Sequence, residues 1–247
     1  LCEYLTGEGF VQSKNDLCLF SNPVTKVRLG VHVDDIIARG SKRQTKLFWK
    51  KLDARFKLKE WDIVDYDNPL TYTGMTVGKL RQGGKVWYTL DMAADIADFL
   101  AEAGMSGSRT TTAPMPYKQE ILGDTELVSE QEHKTYMSQV GSLQWYAGMR
   151  YDIAFEVTRL AQFLSKPTKG AMKALRRVLA YLNTTKDRKL WVPRVKGNSW
   201  QLYNDSDHAG ETAMGKTRSH TGVIMMLNGM PILSLSVQYL LSRGRVG

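Results

Sequence analysis

Two adjacent carboxylates, Asp34 and Asp35, are the residues best suited to chemistry, because they interrupt an apolar stretch of the chain. Before them, residues 27–33 alternate between apolar and other side chains, which is the period of a strand with one buried face. After them, residues 36–38 are apolar again. The pattern predicts a hairpin with the two carboxylates at its turn.

Such a pair has two interpretations. Ionised carboxylates are costly to bury unless they are paired or bind a metal. The simpler interpretation is a hairpin whose aspartates favour the turn and face water. The other is a magnesium site for nucleotidyl transfer, since hard carboxylate oxygens are the ligands that Mg²⁺ prefers.

Positive charge is the second feature with functional meaning. The chain carries a net charge of +9, and residues 166–196 contain ten basic residues against one acid, Asp187. A basic helix attracts phosphate backbones, in a way that weakens with salt. A solvated helix face in a basic protein is the alternative.

Composition limits the protein class. The 247 residues are 43% apolar, as in globular domains. We expect no membrane partner and an intracellular protein, because the sequence contains neither an apolar run of spanning length nor a secretory signal. Cys2 and Cys18 indicate neither a disulfide framework nor a zinc site. Because the first residue is Leu1, we expect an excised piece or an incomplete translation.

Apolar periodicity predicts an α+β fold. In the first half we expect a helix after Ser41 with Phe48, Leu52 and Phe56 on its apolar face, a boundary near residue 115, and these further elements: strands 71–80 and 86–90 and a helix over 91–103. Three helices should follow, at 133–149, 152–164 and 168–182, the last capped by Thr168 and ended by Asn183. Strand signals return at 200–203, 222–227 and 230–233.

Motifs in a characteristic order carry a family resemblance. They are VHVDDII, LTYTGM, RTTTAPMP, the run from Gly141-Ser142-Leu143 to Asp152-Ile153-Ala154-Phe155, and Asp205-Ser206-Asp207 followed by Ala209-Gly210. Over nearly the whole chain they resemble the polymerase region of copia-type retrotransposon Pol polyproteins. That resemblance implies a reverse transcriptase followed by an RNase H domain, with Mg²⁺ as cofactor. The implied partners are an RNA template, a DNA primer and the rest of the polyprotein.

The resemblance also assigns roles and segments. Asp34 and Asp35 match the paired metal-binding, catalytic aspartates of the polymerase palm, with His32 where the family usually has Tyr, and Asp205 matches the first catalytic aspartate of RNase H. The implied nucleic-acid contacts are Tyr72 and Gly74 in a primer-gripping hairpin and Lys173, Arg176 and Arg177 on a basic helix. The implied segments are part of the palm at 1–115, a helical thumb or connection at 116–195 and a truncated RNase H-like segment at 196–247.

The number of carboxylates in the sequence argues against full polymerase activity. Two-metal polymerisation needs a third carboxylate, which the family supplies from an upstream strand. Glu3, Glu8 and Asp16 are the only acids before the hairpin and lie in no matching context, and no acid follows Glu211. Two hypotheses therefore remain: a fragment of an RNA-directed DNA polymerase, or a non-catalytic remnant that binds nucleic acid through its basic helix.

Overall fold

The computed structural model describes residues 1–58, 61–108, 110–115, 124–192, 197–206, 211–213 and 216–240. The chain forms two compact units, Leu1–Leu80 and Arg81–Gly247. The described residues contain six α-helices and antiparallel sheets, which confirms the predicted α+β class. The division at Leu80 differs from the predicted segment ends at residues 115 and 195, and that segment assignment stays a prediction.

The first unit is built on a four-stranded antiparallel sheet with strand order β1-β2-β3-β4. Its elements are α1 (Cys2–Gly7), β1 (Val11–Gln12), β2 (Leu19–Ser21), β3 (Arg28–His32), β4 (Asp35–Arg39), α2 (Lys42–Phe56), β5 (Leu70–Tyr72) and the start of β6 (Met75–Gln82).

Helix α2 packs its apolar face on this sheet. Ser41 caps the helix by accepting a hydrogen bond from the Gln44 amide, as predicted. Of the three residues predicted on its apolar face, Phe48 and Leu52 are buried, whereas Phe56 is 41% exposed. The helix ends directly after Phe56, which packs edge-to-face on Tyr4 at the rim of the core. The buried core comprises Leu5, Phe10, Phe20, Val27, Leu29, Phe48 and Leu52.

The strand predicted over residues 71–80 is two strands. β5 and β6 form a hairpin in which Tyr72 pairs with Met75. Thr73 and Gly74 between them have φ values of +48° and +77°. A two-residue hairpin loop needs this left-handed backbone, and glycine adopts it at no steric cost. The turn therefore overrides the β-type pattern around it.

The second unit combines helices with strands of two further antiparallel sheets. Its elements are β7 (Lys85–Asp91), α3 (Ala93–Glu102), α4 (Glu130–Ala147), a 3-10 turn (Tyr151–Ile153), α5 (Ala154–Ala161), α6 (Lys169–Thr185), β8 (Leu190–Val192), β9 (Trp200–Ser206), β10 (Glu211–Ala213), β11 (Lys216–Leu227) and β12 (Met230–Leu240). Strand β8 pairs with β7, whereas β11 pairs with β9, β10 and β12.

Local sequence signals account for the helix starts. Ser129 and Glu132 form a reciprocal capping box at the start of α4, and Thr168 caps α6 as predicted. Asn183 does not end α6, which continues to Thr185. The Asn183 amide donates hydrogen bonds to the Met105 carbonyl and the Ser108 hydroxyl. Tertiary partners thus satisfy a side chain that otherwise favours helix ends.

An ion pair between the buried Arg150 and the partly exposed Asp152 connects the 3-10 turn to the end of α6. Arg150 is 5% exposed and donates hydrogen bonds of 2.9 and 2.8 Å to the two carboxylate oxygens of Asp152. It also donates to the Thr185 carbonyl at 3.1 Å. Asp152 accepts further bonds from the Tyr181 hydroxyl and Arg188. Burial opposes ionisation of Asp152, but these bonds and cations outweigh it and hold its pKa below the usual value.

Replacement of Asp152 tests this pair. We expect Asp152→Asn to lower the free energy of unfolding by about 3 kcal/mol at pH 7, because it leaves the buried Arg150 without a counter-charge. Urea denaturation measures the change. Glu130→Gln is the matched control, since its exposed pair with Lys134 contributes only about 0.5 kcal/mol. An equal loss of unfolding free energy in the two variants would mean that the Arg150–Asp152 pair stabilises the chain no more than an exposed ion pair does.

Candidate functional site

The two aspartates lie at the tip of the predicted hairpin. In the β3–β4 pair, His32 lies opposite Asp35, and Val33 and Asp34 form the loop. Val33 was predicted on the buried face, which is wrong: it is 83% exposed and has φ +50°. A β-branched residue is strained in this left-handed region. The turn thus displaces Val33 from the core and presents both carboxylates to solvent.

The outer face of this hairpin receives Tyr72. Gly30, Asp35 and Ile37 share the face that points away from α2, because side chains alternate along each strand. A Cβ atom on Gly30 would lie 3.1 Å from the Ile37 side chain and 3.5 Å from the Tyr72 hydroxyl. Glycine at position 30 therefore leaves the space into which the Tyr72 phenol fits.

The pKa of Tyr72 is affected by burial and by the charge of Asp35. Burial raises the pKa of its phenol, and the negative charge of Asp35 raises that pKa further, with smaller contributions from Cys18 and Asp16. The structure thus brings two predicted site residues, Asp35 and Tyr72, into electrostatic reach of each other. Gly74, also predicted to contact nucleic acid, forms the adjoining turn.

The donor set fits a magnesium ion in kind but not in number. Asp34 and Asp35 are exposed and form no ion pair with any described residue. Within the described ranges, however, no three acidic, histidine or cysteine side chains gather closely enough to hold a metal ion. Glu8 is occupied by an ion pair of 2.5 Å with Lys51, and Asp16 accepts a hydrogen bond from the Cys18 amide.

The predicted basic cluster is less positive in the folded chain than in the sequence. Lys169 pairs with Glu126, and Arg188 pairs with Asp152 at 2.9 Å. Lys189 lies 3.1 Å from Asp91. Lys186 is 3.9 Å from Asp187, while Arg194 and Lys196 lie outside the described residues.

Three basic side chains of α6 are not neutralised by an ion pair within the described residues. Lys173 and Arg176 are exposed and make no ion pair within the described part of the chain. Arg177 is half-buried, and its Nε atom is buried without a hydrogen-bond partner. Positions 173, 176 and 177 are neighbours on one helix face. Glu132 also lies near this face, since Lys169 and Arg176 help to lower its pKa after the larger effect of its bonds with Ser129.

Asp205 occupies a strand. Residues 204–206 pair with β11 as the last part of β9, which ends at Ser206. Asp205 is exposed and lies opposite Gly222. Asp207 and the Ala209-Gly210 part of the motif lie outside the described residues.

Sequence reasoning missed two features of these sites. It assigned no role to Arg150, because a single arginine at a helix end has no pattern that predicts burial. It also did not predict that Tyr72 lies over Gly30. A glycine among β-branched residues in a strand is the signal that could have indicated such a close approach.

Comparisons with known proteins agree with the resemblance. The chain is 32% identical over 239 residues to the retrovirus-related Pol polyprotein from transposon RE2 of Arabidopsis thaliana, covering 93% of this chain and 15% of that protein. The corresponding polyprotein from transposon RE1 is also 32% identical, over 94% of this chain and 15% of its own length. An uncharacterized mitochondrial protein of the same plant is 28% identical over 209 residues, 84% of this chain and 81% of that protein.

The chain belongs to the copia-type, retrovirus-related Pol polyprotein family. It spans about 15% of the length of the two polyproteins. No family model matches the sequence, and no solved structure matches it either. Among the described residues, no helix has the length and apolar character needed to cross a membrane.

The proximity of Tyr72 and Asp35 can be tested by titration. We expect Asp35→Asn to lower the pKa of the Tyr72 phenol, because an anion nearby disfavours phenolate. The pKa should stay above the ordinary tyrosine value, since burial, the larger cause, remains. Carbon-13 NMR of labelled tyrosine, with the signal assigned through Tyr72→Phe, measures the shift. Asp34→Asn is the matched control, and an equal shift in that variant would contradict the arrangement.

Proposed function

We propose that this chain is part of an RNA-directed DNA polymerase in which Asp34 and Asp35 are two of the metal-binding carboxylates. The supporting observation is their position at a hairpin tip, exposed and without an ion pair to any described residue. Membership in a Pol polyprotein family is consistent with this role. The third carboxylate would come from another part of the polyprotein.

Each residue has a distinct task in this proposal. Asp34 and Asp35 hold the metal, while Tyr72 orients the end of the primer beside Asp35, and Gly74 forms the turn that positions Tyr72. A magnesium ion at this site would stabilise the negative charge that develops on the reacting phosphate. A tyrosine phenol is protonated near neutral pH, and burial and Asp35 raise the pKa of Tyr72 further, so this phenol can donate a hydrogen bond.

The rest of the chain follows the same proposal. Residues 1–115 form part of a palm, residues 116–195 a thumb or connection, and residues 196–247 the start of an RNase H-like segment with Asp205 as its first catalytic acid. Lys173, Arg176 and Arg177 on α6 follow the phosphate backbone of the template and primer.

A second candidate function is binding of nucleic acid without catalysis. It is favoured by the absence of any three-carboxylate cluster in the described part of the chain. Primer extension on an RNA template separates the two candidates. With the rest of the polyprotein present to supply the third carboxylate, extension that Asp34→Asn abolishes supports the first candidate, whereas binding of the primer–template without extension supports the second.

Metal binding tests the assignment of the carboxylates. We expect Mn²⁺, used as a spectroscopic substitute for Mg²⁺, to bind this chain weakly, because two carboxylates supply few of its ligands. Electron paramagnetic resonance should show this binding lost in the Asp34→Asn, Asp35→Asn double variant. Asp16→Asn is the control and should bind as the unmodified chain does. Undiminished binding in the double variant would refute the assignment.

The basic helix can be tested through salt dependence. We expect Arg176→Ala to weaken binding of a primer–template duplex and to reduce the slope of log K against log salt by about 1, the effect of one lost phosphate contact. Lys134→Ala removes the same charge from α4 and should leave the slope almost unchanged. Fluorescence anisotropy at several salt concentrations measures both variants. If the slopes of log K against log salt are the same for Arg176→Ala and Lys134→Ala, the basic face of α6 is solvated and does not contact phosphate.

A further inference from the structure

An aromatic cleft lies in the second unit, and none of its lining residues belongs to α6. It has a volume of about 530 Å³ and is open to solvent. Its lining consists of Gln82, Gly83, Lys85, Trp87 and Trp191. None of these residues has a role in the proposed polymerase site. The volume falls within the range of small-molecule sites, about 300–1,000 Å³.

Strand geometry explains why these side chains meet. Lys85 and Trp87 lie two residues apart on β7 and therefore point to the same face. Trp191 of β8 lies opposite Thr89, which continues that face. Gly83 and Gly84 have φ values of +57° and +74°, the backbone of a tight two-residue turn. This turn places Gln82 opposite Lys85 at the mouth of the cleft.

The two indoles are arranged edge-to-face. Their ring centroids are 5.8 Å apart and their planes meet at 76°. In such a pair one ring uses its edge, so its own faces are left uncovered by its partner. Trp191 remains 39% exposed, although it is a large apolar side chain. The cleft therefore offers an aromatic surface to a planar ligand.

Charge selects the kind of ligand. The ammonium group of Lys85 is exposed and forms no ion pair with a described residue. No acidic residue lines the cleft, so its charge is positive. A cationic ligand is repelled there, and an uncharged apolar ligand gains nothing from Lys85. A ligand that is planar and apolar on one side and anionic on the other satisfies both features.

We propose that this cleft binds one nucleotide of a single-stranded nucleic acid, with its base stacked on an indole and its phosphate at Lys85. Aromatic stacking beside a positive charge is how single strands are held without sequence preference. Gln82 also lines the cleft, and its amide can donate and accept hydrogen bonds at the edge of the base. The proposal rests on the proposed function, because it takes its partner class from there, and it adds a single-strand site to the duplex-binding role of α6.

The test compares two oligonucleotides of equal length and charge, oligothymidine and its abasic counterpart, by fluorescence anisotropy. The unmodified chain should bind oligothymidine more tightly, because only that strand can stack. Trp191→Ala should weaken oligothymidine binding by about 5- to 150-fold, the effect of one lost stacked base, and leave abasic binding unchanged. Lys85→Ala should weaken both and reduce the salt slope by about 0.7, as expected for one phosphate of a single strand.

Two further variants serve as controls for an effect of the substitution on folding. Trp191→Phe keeps an aromatic face and should retain part of the preference for oligothymidine. Trp145→Ala removes a tryptophan of α4 that is 57% exposed and does not line the cleft, and it should bind as the unmodified chain does. Circular dichroism establishes that each variant is folded. If Trp191→Ala does not fold, the Trp191→Phe and Lys85→Ala results decide the question.

Other outcomes overturn the proposal in distinguishable ways. Equal binding of oligothymidine by the Trp191→Ala and unmodified chains, or no binding of either strand by the unmodified chain, would refute the cleft as a site. So would an equal loss for both oligonucleotides in Trp191→Ala. The polymerase proposal would survive these results if Mn²⁺ still bound at Asp34 and Asp35. If instead the double variant Asp34→Asn, Asp35→Asn bound Mn²⁺ as well as the unmodified chain, and the oligonucleotide results were as expected, the polymerase proposal would be refuted and the cleft proposal would stand.

Discussion

The ion pair of the buried Arg150 with Asp152 is the constraint on which the second unit depends. A guanidinium that is 5% exposed must find its hydrogen bonds inside the protein, and it finds them on Asp152 and Thr185. That requirement brings the end of α6 to the 3-10 turn. Arg188 joins the same carboxylate, which holds the chain that leads into β8. The helix with the available cations and the strand with Trp191 are thus positioned by one charge network.

The sheet of the first unit has one face that packs in the core and an opposite face that carries candidate site residues. Leu29 and the other core residues of the sheet pack against α2, and the opposite face of β3 and β4 carries Gly30 and Asp35. Tyr72 approaches that outer face because position 30 has no side chain. The aspartates are therefore exposed to water at the tip while the core below them remains apolar. This arrangement is consistent with the proposed metal-binding role, since buried carboxylates would favour the neutral form.

Charge distribution shows how folding changes what a sequence suggests. The ten basic residues of 166–196 look like one continuous positive surface. In the folded chain, acids from distant positions neutralise part of it, as Glu126 does for Lys169 and Asp91 for Lys189. Among the described residues of this segment, the basic side chains without an ion pair are Lys166, which precedes α6, and Lys173, Arg176 and Arg177 on one face of α6. Electrostatic attraction to phosphate would therefore be local rather than spread along the segment.

The sequence by itself determined the local structure: the Asp-Asp hairpin, the helices and their caps at Ser41 and Thr168, because these depend on neighbours within about four residues. The family motifs also determined the class of protein. Tertiary structure alone decided what distant residues do. Arg150 reaches Thr185 across 35 positions, and Lys169 reaches Glu126 across 43. The space over Gly30 and the meeting of Trp87 with Trp191 likewise arise only from packing, because no local pattern specifies which surfaces meet.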